Sequence, residues 1–384
     1  MTPVERTVLL GVPLARLDME DTVAWVDQAI ASGEPHQIAT ANMNFLAHAR
    51  RNPEFLRILQ DASLVTADGM PLCWASRLQG APIPARVTGA DLVPRLCALA
   101  ADRGYRVFLM GPPGSTGEAA RRLTERYPGL RIVGVETPPF GPIESWDNAA
   151  YCARIRQARA DLLLVGFGAP KQERWIARYL PRTEAAVAIG VGATFDYIAG
   201  RVRRAPWLFQ AVGLEWAWRI WEEPRRLWRR YLVDGLTAGP AVLNQLVTSH
   251  LAERRSRRAR PGRVQLRRMR GRGEVFVLSL SGRFPTDRLD VVQRGMRGVR
   301  GTPLALVLDL VGARFLAPAV LGELVALVGW VRSTGGSPAL VVSAEAARQL
   351  AAAGLDSLAP RFPTVAEAVG HLMRDRERRL VVAA

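Results

Sequence analysis

The sequence predicts an α/β fold in which mainly parallel sheets carry helices on both faces. Two observations support this. Short apolar runs alternate with amphipathic stretches along residues 1–204, and the same alternation returns from residue 274 onward. Parallel strands need crossover connections, so strand and helix patterns alternate along the chain. The 384 residues leave room for two or three domains, and 49% apolar with 23% charged residues is typical of a globular protein.

The first part, residues 1–204, contains seven strand candidates. In chain order they are "TVLLGV", "HQIATA", "SLVTA", "YRVFLMG", "LRIVGVE", "DLLLVGFG" and "AAVAIGVG". Helical stretches separate them, among them "NFLAHARRNPEFLRILQDA", "STGEAARRLTERY" and "NAAYCARIRQARA". Apolar runs this short, separated by helices of this length, predict a Rossmann-like domain around a parallel sheet.

The second part, residues 205–273, is helical and strongly basic. Residues 219–272 hold 15 arginines against four acidic residues, an excess of 11 in a chain of net charge +17. Such a stretch usually meets phosphates, on nucleic acid, on anionic lipid or on a diphosphate substrate; a solvated helix face followed by a linker is an equally weighted alternative. Within it, "RRSRRARPGRVQLRRMRGRG" is interpreted as a linker, because it has almost no apolar face.

In the third part, residues 274–384, strand-like and helical patterns alternate again, and the segment is long enough to fold by itself as a smaller α/β domain.

The three cysteines of the chain are scattered and form no CxxC pair, and the four histidines form no cluster with them. This argues against a zinc site or a disulfide framework and fits a reducing cytosol. No signal peptide and no apolar run long enough to span a bilayer are expected.

Polar residues follow five of the predicted strands, and ligands of open parallel sheets bind beyond the carboxyl ends of the strands. Each could be an ordinary cap or turn residue, but together they predict one site. They are Thr40 and Asn42 in "TAN", Asp68 in "ADG", Gly111 at the start of "GPPGSTGE", Lys171 and Gln172 in "GAPKQE", and Asp196 in "GATFD". Lys171 is the single lysine of the chain.

The segment "MGPPGSTGE" fits neither the dinucleotide-binding nor the P-loop fingerprint. A capping box between Ser115 and Glu118 is the structural expectation, although a glycine turn before a helix can also hold a phosphate. No two aspartates have the D-x-D spacing with which sugar-transferring enzymes often bind a metal. Without a metal, arginines would have to offset the charge on a leaving diphosphate, and Arg86, Arg201, Arg203 and Arg204 are candidates.

Several blocks resemble the WecG/TagA/CpsF family of glycosyltransferases over roughly residues 8–230. These blocks are "TANMNFLAHARRNPEF", "ASLVTADGMPLCWASRLQGAPIPARVTGADL", "GAPKQERWI" and "GVGATFDYIAGRVRRAPWLFQAVGLEWAWRIWEEPRR". The resemblance implies an inverting, metal-independent enzyme without a cofactor. Its donor would be a UDP-sugar carrying N-acetylmannosamine, its uronic acid or a hexose. Its acceptor would be a polyprenyl-diphosphate-linked sugar at the cytoplasmic face of the membrane, in cell-surface polysaccharide synthesis.

Carried over residue by residue, the resemblance implies that Asp68 is the general base and that Thr40 and Asn42 form the T-x-N pair of the active site. An aspartate of ordinary pKa, about 4, is ionised at neutral pH and can accept a proton. The pocket residues would be Arg86, Gln172 and Asp196. In the C-terminal appendage of the family, arginines that reach the lipid diphosphate and the anionic membrane surface correspond to Arg219, Arg226 and Arg229. Here more than a hundred further residues follow that appendage.

Residues 274–384 resemble a STAS domain through "LVLDLVGARFLAPAVLGELVAL" and "RFPTVAEAV". Pro318 and Ala319 stand where the serine phosphorylated in that family is expected, so we expect a docking or regulatory module for a protein partner without a phosphorylation switch.

Two alternatives remain open at this stage. One is a nucleic-acid-binding protein using the arginine-rich arm, and the other is a non-catalytic scaffold that presents the STAS-like domain. The family blocks argue against nucleic acid as a partner, and the retained Thr40, Asn42, Asp68 and Gln172 argue against a scaffold.

Overall fold

The computed structural model describes residues 4–206, 209, 215–222, 224–270, 274–299 and 305–383. Backbone contacts group the chain into two compact units. The first unit contains Met1–Val4, Leu14–Trp74 and Ile83–Thr237, and the second contains Glu5–Pro13, Ala75–Pro82 and Ala238–Ala384. The division into residues 1–204, 205–273 and 274–384 stays a prediction.

The first unit is built on a six-stranded parallel sheet, so the predicted Rossmann-like α/β class is confirmed. Its strands are β3 (His36–Ala41), β4 (Leu64–Ala67), β5 (Arg106–Met110), β6 (Arg131–Glu136), β7 (Leu162–Val165) and β8 (Val187–Gly190). Across the sheet the order is β4-β3-β8-β7-β5-β6. Because β3 and β8 are neighbours, the end of the "TAN" strand lies next to the end of the "AIGVG" strand.

Among the described residues, eleven α-helices begin before or within residues 205–273, which we term the basic arm. They are α1 (Met19–Ser32), α2 (Met43–Arg51), α3 (Pro53–Asp61), α4 (Met70–Leu78), α5 (Gly89–Arg103), α6 (Ser115–Arg126), α7 (Asn148–Gln157), α8 (Lys171–Thr183), α9 (Thr194–Ile198), α10 (Glu215–Glu222) and α11 (Pro224–Ser256). The single stretch predicted between β3 and β4 divides into α2 and α3. Pro53 cannot continue the hydrogen-bond ladder of α2, and Asn52 caps α3 by accepting from the backbone N–H of Phe55 at 3.0 Å.

Alternate residues of the first unit's strands face opposite cores. Leu162 and Leu164 of β7 belong to one buried cluster, whereas Leu163 and Val165 belong to another. This two-residue period is what a sheet covered by helices on both faces requires, because side chains of a strand point alternately up and down. Both faces of the sheet are thus closed, and ligands can approach it only at an edge or at the strand ends.

The second unit contains another six-stranded sheet, mostly parallel, with the order β12-β10-β11-β13-β14, and β9 pairs antiparallel with β10. The strands are β9 (Arg263–Arg270), β10 (Glu274–Phe284), β11 (Ala305–Leu310), β12 (Ala313–Leu316), β13 (Ser337–Val342) and β14 (Arg361–Phe362). Its helices after α11 are α12 (Leu289–Arg297), α13 (Pro318–Ser333), α14 (Ala344–Ala352) and α15 (Val365–Ala383). The second α/β domain is confirmed, while its assignment as a STAS domain stays a prediction.

The interpretation of residues 254–273 as a linker is wrong for its second half, which forms β9. Val264 and Leu266 alternate with polar residues and pack against the core of the second unit. The alternation is that of a strand with one buried face. Four arginines and a glutamine in the same eight residues hide it, because the average composition is that of a linker.

The predicted first strand, "TVLLGV", does not join the parallel sheet of the first unit. It forms a two-stranded hairpin of β1 (Arg6–Leu9) and β2 (Val12–Ala15), and Val8 is fully buried in the core of the second unit. Buried Gln245 on α11 fixes the turn, since its amide donates to the carbonyl of Val8 at 2.8 Å and accepts from the N–H of Leu10 at 2.9 Å. The segment Glu5–Pro13 is therefore part of the second unit.

Among the helices in the described part of the chain, none is both long and apolar enough to cross a bilayer.

Candidate functional site

Asp68 lies directly after β4, at the carboxyl end of the first unit's sheet. Its backbone N–H donates to the carbonyl of Ala41 at 2.7 Å, and the N–H of Val87 donates to the carbonyl of Ala67 at 2.8 Å. The end of β4 is thus held between the end of β3 and the segment that carries Arg86. The Asp68 side chain is half-buried. These bonds bring the predicted residues of the "TAN", "TADG" and "ARVTG" blocks to one place.

Thr40 and Asn42 both hold the backbone at this edge. The Thr40 hydroxyl, nearly buried, donates to the carbonyl of Gly190 at 3.2 Å and so joins β3 to the end of β8. Asn42 is the N-cap of α2, where its side-chain oxygen accepts from the N–H groups of Asn44 and Phe45 at 3.1 and 3.4 Å. Both side chains thus form hydrogen bonds with the backbone, and their contact with a substrate stays a prediction.

Arg86 belongs to a network of charged side chains beside Asp68. Its guanidinium forms an ion pair with Glu215 at 2.9 Å, and both side chains are more than four-fifths buried. Arg204 pairs with Asp91 at 2.6 Å and lies 4.0 Å from Glu215. Glu215 is the first residue of α10, so the basic arm supplies a carboxylate to two arginines of the site.

In this network, hydrogen bonds and neighbouring charges outweigh the effect of burial on the pKa values. Burial acts to raise the pKa of Asp91, but hydrogen bonds from Arg204 and Thr88 outweigh it and hold that pKa below its usual value. Burial acts to lower the pKa of Arg204, but the bond to Asp91 and the charges of Asp91, Glu215 and Asp68 raise it. Asp68 therefore sits within the field of a guanidinium that stays positively charged.

Gln172 connects the ends of two other strands. It is almost completely buried, and its side-chain oxygen accepts from the N–H groups of Gly168 and Gly192, both at 3.0 Å. These glycines follow β7 and β8, so one amide fixes both loops. Only a glycine fits at position 190, because a Cβ there would lie 2.6 Å from the Gln172 amide nitrogen. We find a positioning role for Gln172, and direct substrate contact stays a prediction.

Glu173 is the residue of this site that the sequence did not reveal. It is fully buried, its Oε1 accepts from the Gln172 amide at 2.6 Å, and its Oε2 has no hydrogen-bond partner in the described part of the chain. Burial raises the pKa of Glu173 to about 7, while the Gln172 bond acts in the opposite direction. The residue type next to Gln172 was visible in "PKQE", but burial depends on tertiary packing that one sequence does not display.

The loop after β5 forms an open helix N-terminus. The N-cap of α6 is Gly114, without a side-chain cap, so the capping box expected from Ser115 and Glu118 is wrong. Glu118 instead pairs with Arg121 and Arg122 on the next turn. A Cβ at Gly114 would collide with the guanidinium of Arg201, which therefore lies against this turn.

At Gly111, the first residue of this loop, steric crowding excludes any larger side chain. A Cβ there would lie 2.6 Å from the Thr116 hydroxyl and 2.7 Å from the Phe195 ring. The glycine thus lets the loop pass close to α9 and leaves the α6 N-terminus and Arg201 side by side. Both are electropositive, because the first N–H groups of a helix have no intrahelical acceptor. Such a pair suits an anionic ligand.

Lys171, the single lysine, lies in an aromatic cage. Its ammonium donates to the carbonyl of Gly141 and stands 4.4 Å from the centre of the Trp146 ring. Burial lowers the pKa of Lys171, and the charge of Glu144 partly offsets this effect. The lysine thus ties the start of α8 to the loop after β6, and its predicted contact with a nucleotide remains untested.

Asp196 lies in the first turn of α9 and is half-buried, and its backbone carbonyl accepts from the N–H of Arg201 at 2.9 Å. It therefore helps to fix the loop that carries Arg201. In the basic arm, Arg229 is exposed with its guanidinium 5.5 Å from the Trp228 ring centre. The side chains of Arg219 and Arg226 lie outside the described part of the structure.

In chemical terms, the edge combines the half-buried carboxylates of Asp68 and Asp196 with several guanidinium groups. A carboxylate at Asp68 can take a proton from a hydroxyl group, and Arg86 and Arg204 can stabilise negative charge that develops nearby. Arg201 and the α6 N-terminus can bind phosphate oxygens. In the ranges that the structure describes, no group of three or more His, Cys, Asp or Glu side chains is arranged to hold a metal ion.

Comparison with known proteins points the same way as this geometry. The model of the glycosyl transferase WecG/TagA/CpsF family matches residues 7–252. An N-acetylglucosaminyldiphosphoundecaprenol N-acetyl-beta-D-mannosaminyltransferase of Bacillus spizizenii is 33% identical over 196 residues, which cover 51% of this chain and 74% of that protein. A protein of the same name from Staphylococcus aureus is 32% identical over 193 residues, which cover 50% of this chain and 74% of the relative.

Proposed function

The chain belongs to the glycosyl transferase WecG/TagA/CpsF family, and we propose that it transfers a sugar from a UDP-sugar to a polyprenyl-diphosphate-linked sugar. The protein is a glycosyltransferase, and the names of its relatives describe N-acetylmannosaminyl transfer to a lipid-linked N-acetylglucosamine. The donor sugar would be N-acetylmannosamine, its uronic acid or a hexose. The reaction would serve cell-surface polysaccharide synthesis, with the protein peripheral at the cytoplasmic membrane face.

The observation that carries the proposal is the position of Asp68 at the strand ends beside the Arg86–Glu215–Arg204 network. In the proposed step, Asp68 accepts the proton of an acceptor hydroxyl while that oxygen attacks the anomeric carbon. The bond to the diphosphate breaks with inversion, and UDP leaves with the electron pair. Arg86, Arg204 and Arg201 stabilise the charge on the departing diphosphate.

Glu215 supports this assignment of the arginines. Its carboxylate lies between the two arginines: it pairs with Arg86 at 2.9 Å and lies 4.0 Å from Arg204, which also pairs with Asp91. A diphosphate offers the same two arginines more negative charge and more acceptor oxygens than one carboxylate. We therefore propose that the diphosphate replaces Glu215 on these arginines when substrate binds.

A panel of UDP-sugars incubated with a short-chain lipid acceptor tests the proposal, with UDP release and product mass as the readouts. We expect one donor to release UDP only when the acceptor is present. Transfer from none of the UDP-sugars, together with transfer from a sugar activated by another nucleotide, would refute the donor class.

We predict that EDTA leaves the rate of transfer essentially unchanged. The sequence has no D-x-D pair, and guanidinium groups can supply the positive charge that a divalent ion supplies elsewhere. The rate is measured with and without EDTA, and then after addition of Mg²⁺ or Mn²⁺. A rate that collapses in EDTA and returns with either ion would show that a metal takes part.

We predict that replacing Arg219, Arg226 and Arg229 by Ala lowers activity on lipid acceptors more than it lowers UDP-sugar binding. The exposed Trp221 and Trp228 of the same arm suit the boundary between water and lipid. Each arginine near an anionic surface contributes about 1 kcal/mol. The readouts are the rate with a lipid acceptor and the dissociation constant of the donor.

A control for this prediction is the replacement of three exposed arginines elsewhere in the first unit, Arg50, Arg57 and Arg131, by Ala. It removes the same charge and should leave both readouts close to those of the parent protein. Equal activity of the arm variant and its parent would mean that the arm only packs against the rest of the protein and does not act on the lipid acceptor.

A further inference from the structure

Seven exposed arginines of the second unit have no carboxylate partner in the described part of the chain. They form what we term the arginine cluster: Arg254, Arg255, Arg257, Arg258, Arg260, Arg263 and Arg267. The flanking acidic residues are already engaged, because Glu253 pairs with Arg283 at 3.1 Å and Glu274 pairs with Arg268. The cluster covers the end of α11, the turn after it and β9. Its positive charge is thus left without internal compensation.

An exposed apolar stripe on α11 leads into the cluster. Leu243, Val247 and Leu251 follow one another at four-residue spacing and are 62%, 49% and 45% exposed. Residues four apart lie on the same side of a helix, so the next member of this row is Arg255. The opposite side of the helix carries the buried residues Ala238, Gln245 and Ser256.

This part of α11 therefore turns polar Gln245 inward and aliphatic side chains outward. Gln245 is buried because its side chain forms hydrogen bonds with the turn of the β1–β2 hairpin. The exposure of the Leu and Val side chains is not explained by any contact within the described part of the second unit. Aliphatic side chains that border a cluster of cations are the pattern of a helix lying at a lipid interface.

A nucleic acid would also attract the arginines, but it fits the surface less well. Binding of single strands relies on aromatic side chains that stack on bases, and residues 238–270 contain no Phe, Tyr or Trp. Phosphates and bases gain little from aliphatic side chains, whereas acyl chains do. Both features of the surface, its charge and its aliphatic row, are used together only by an anionic bilayer.

We propose that the arginine cluster and the Leu243–Val247–Leu251 row form a membrane-binding surface of the second unit, specific for anionic phospholipid. The cluster begins after residue 252, where the family match ends, and it belongs to the second unit, whereas Arg219, Arg226 and Arg229 belong to the first. The proposal does not depend on the sugar-transfer reaction, because it concerns binding to lipid and is measured without substrate.

The test is co-sedimentation of the full chain with vesicles of phosphatidylglycerol and phosphatidylcholine, and with vesicles of phosphatidylcholine alone. All variants are made in a background with Arg219, Arg226 and Arg229 replaced by Ala, so that the arm does not mask the result. We expect Arg255→Gln, Arg257→Gln and Arg258→Gln together to weaken binding to the anionic vesicles roughly 100-fold at low salt. The charge-matched control is Arg288→Gln, Arg297→Gln and Arg348→Gln, three exposed arginines of the same unit, which should bind like the background protein.

The aliphatic row is tested by Leu243→Gln, Val247→Gln and Leu251→Gln. Salt screens the arginines but not the burial of aliphatic side chains in lipid. We therefore expect this variant to lose most of the binding that remains at high salt, with a smaller loss at low salt. All three positions are exposed and glutamine favours helices, so the fold should persist, which circular dichroism checks. The two variants change separate side chains, so a folding defect in one leaves the other as a valid test.

Three results would overturn the proposal. The first is equal binding of the cluster variant and the charge-matched control, which would indicate only non-specific attraction. The second is equal binding of the background protein to anionic and neutral vesicles. The third is tight binding of a DNA or RNA fragment, weakened by the cluster variant and unchanged by the aliphatic one, without binding to vesicles. That outcome would make nucleic acid the partner of this surface.

Discussion

Asp68→Asn is expected to lower the rate of sugar transfer by about 10²–10⁴-fold while the protein stays folded. Asparagine keeps the shape of the side chain but cannot accept a proton from the attacking hydroxyl. The backbone bonds that hold this turn, from Asp68 N–H to Ala41 and from Val87 N–H to Ala67, do not involve the side chain. The readouts are the single-turnover rate of transfer and the midpoint of thermal unfolding.

Asp102→Asn is the matched control, because it makes the same chemical change at an exposed position of α5. It should retain the parental rate. Transfer by Asp68→Asn within a factor of a few of the parent would exclude Asp68 as the general base. A loss of donor binding as large as the loss of rate would instead indicate that Asp68 orients the substrate, since a general base acts on the chemical step.

The position of Asp68 was predictable because it follows from a rule of the fold. The apolar run "SLVTA" predicts a buried strand, and the carboxyl ends of parallel strands gather at one edge. Thr40 and Gly111 are found at strand ends for the same reason. The partners of these residues were not predictable. The pairing of Arg86 with Glu215 joins residues 129 positions apart, and no local pattern indicates it.

Two other features could not be predicted from the sequence, because their local patterns are typical of a different structure or position. The strand β9 is hidden by its arginines, and the first strand candidate packs in the second unit although the rest of its surroundings in sequence fold into the first. In both cases the tertiary partner decides the outcome. Glu173 is of the same kind, since a charged residue next to a predicted pocket residue would ordinarily be placed at the surface.

Glu173 leads to the second prediction with a large effect. In the unfolded chain its carboxyl titrates near 4.5, whereas burial raises its pKa in the folded protein to about 7. Between these two pH values the folded protein holds a proton that the unfolded chain has released. The free energy of unfolding must therefore fall as the pH rises from about 4.5 to about 7 and then level off. The shift corresponds to a loss of about 3 kcal/mol, as an order of magnitude.

Glu173→Gln should remove this dependence. Glutamine does not titrate, and its side-chain oxygen can still accept from the Gln172 amide as Oε1 of Glu173 does at 2.6 Å. The new NH₂ group lacks an obvious acceptor in the buried site, which costs about 1–3 kcal/mol. At about pH 5 the variant should therefore be less stable than its parent. Above pH 7 the parent must bury an ionised carboxylate, so the difference should shrink or change sign.

The measurement is the free energy of unfolding in urea, for parent and variant, at several pH values between about 5 and 9. We expect the stability advantage of the parent to fall by about 3 kcal/mol across this range. Glu222→Gln, an exposed glutamate of α10, should instead differ from the parent by a constant amount. A constant difference for Glu173→Gln as well would mean that the Glu173 carboxyl does not titrate in this range. Water would then have to reach Oε2, and the link from Glu173 through Gln172 to the loops at Gly168 and Gly192 would be less rigid than its contacts indicate.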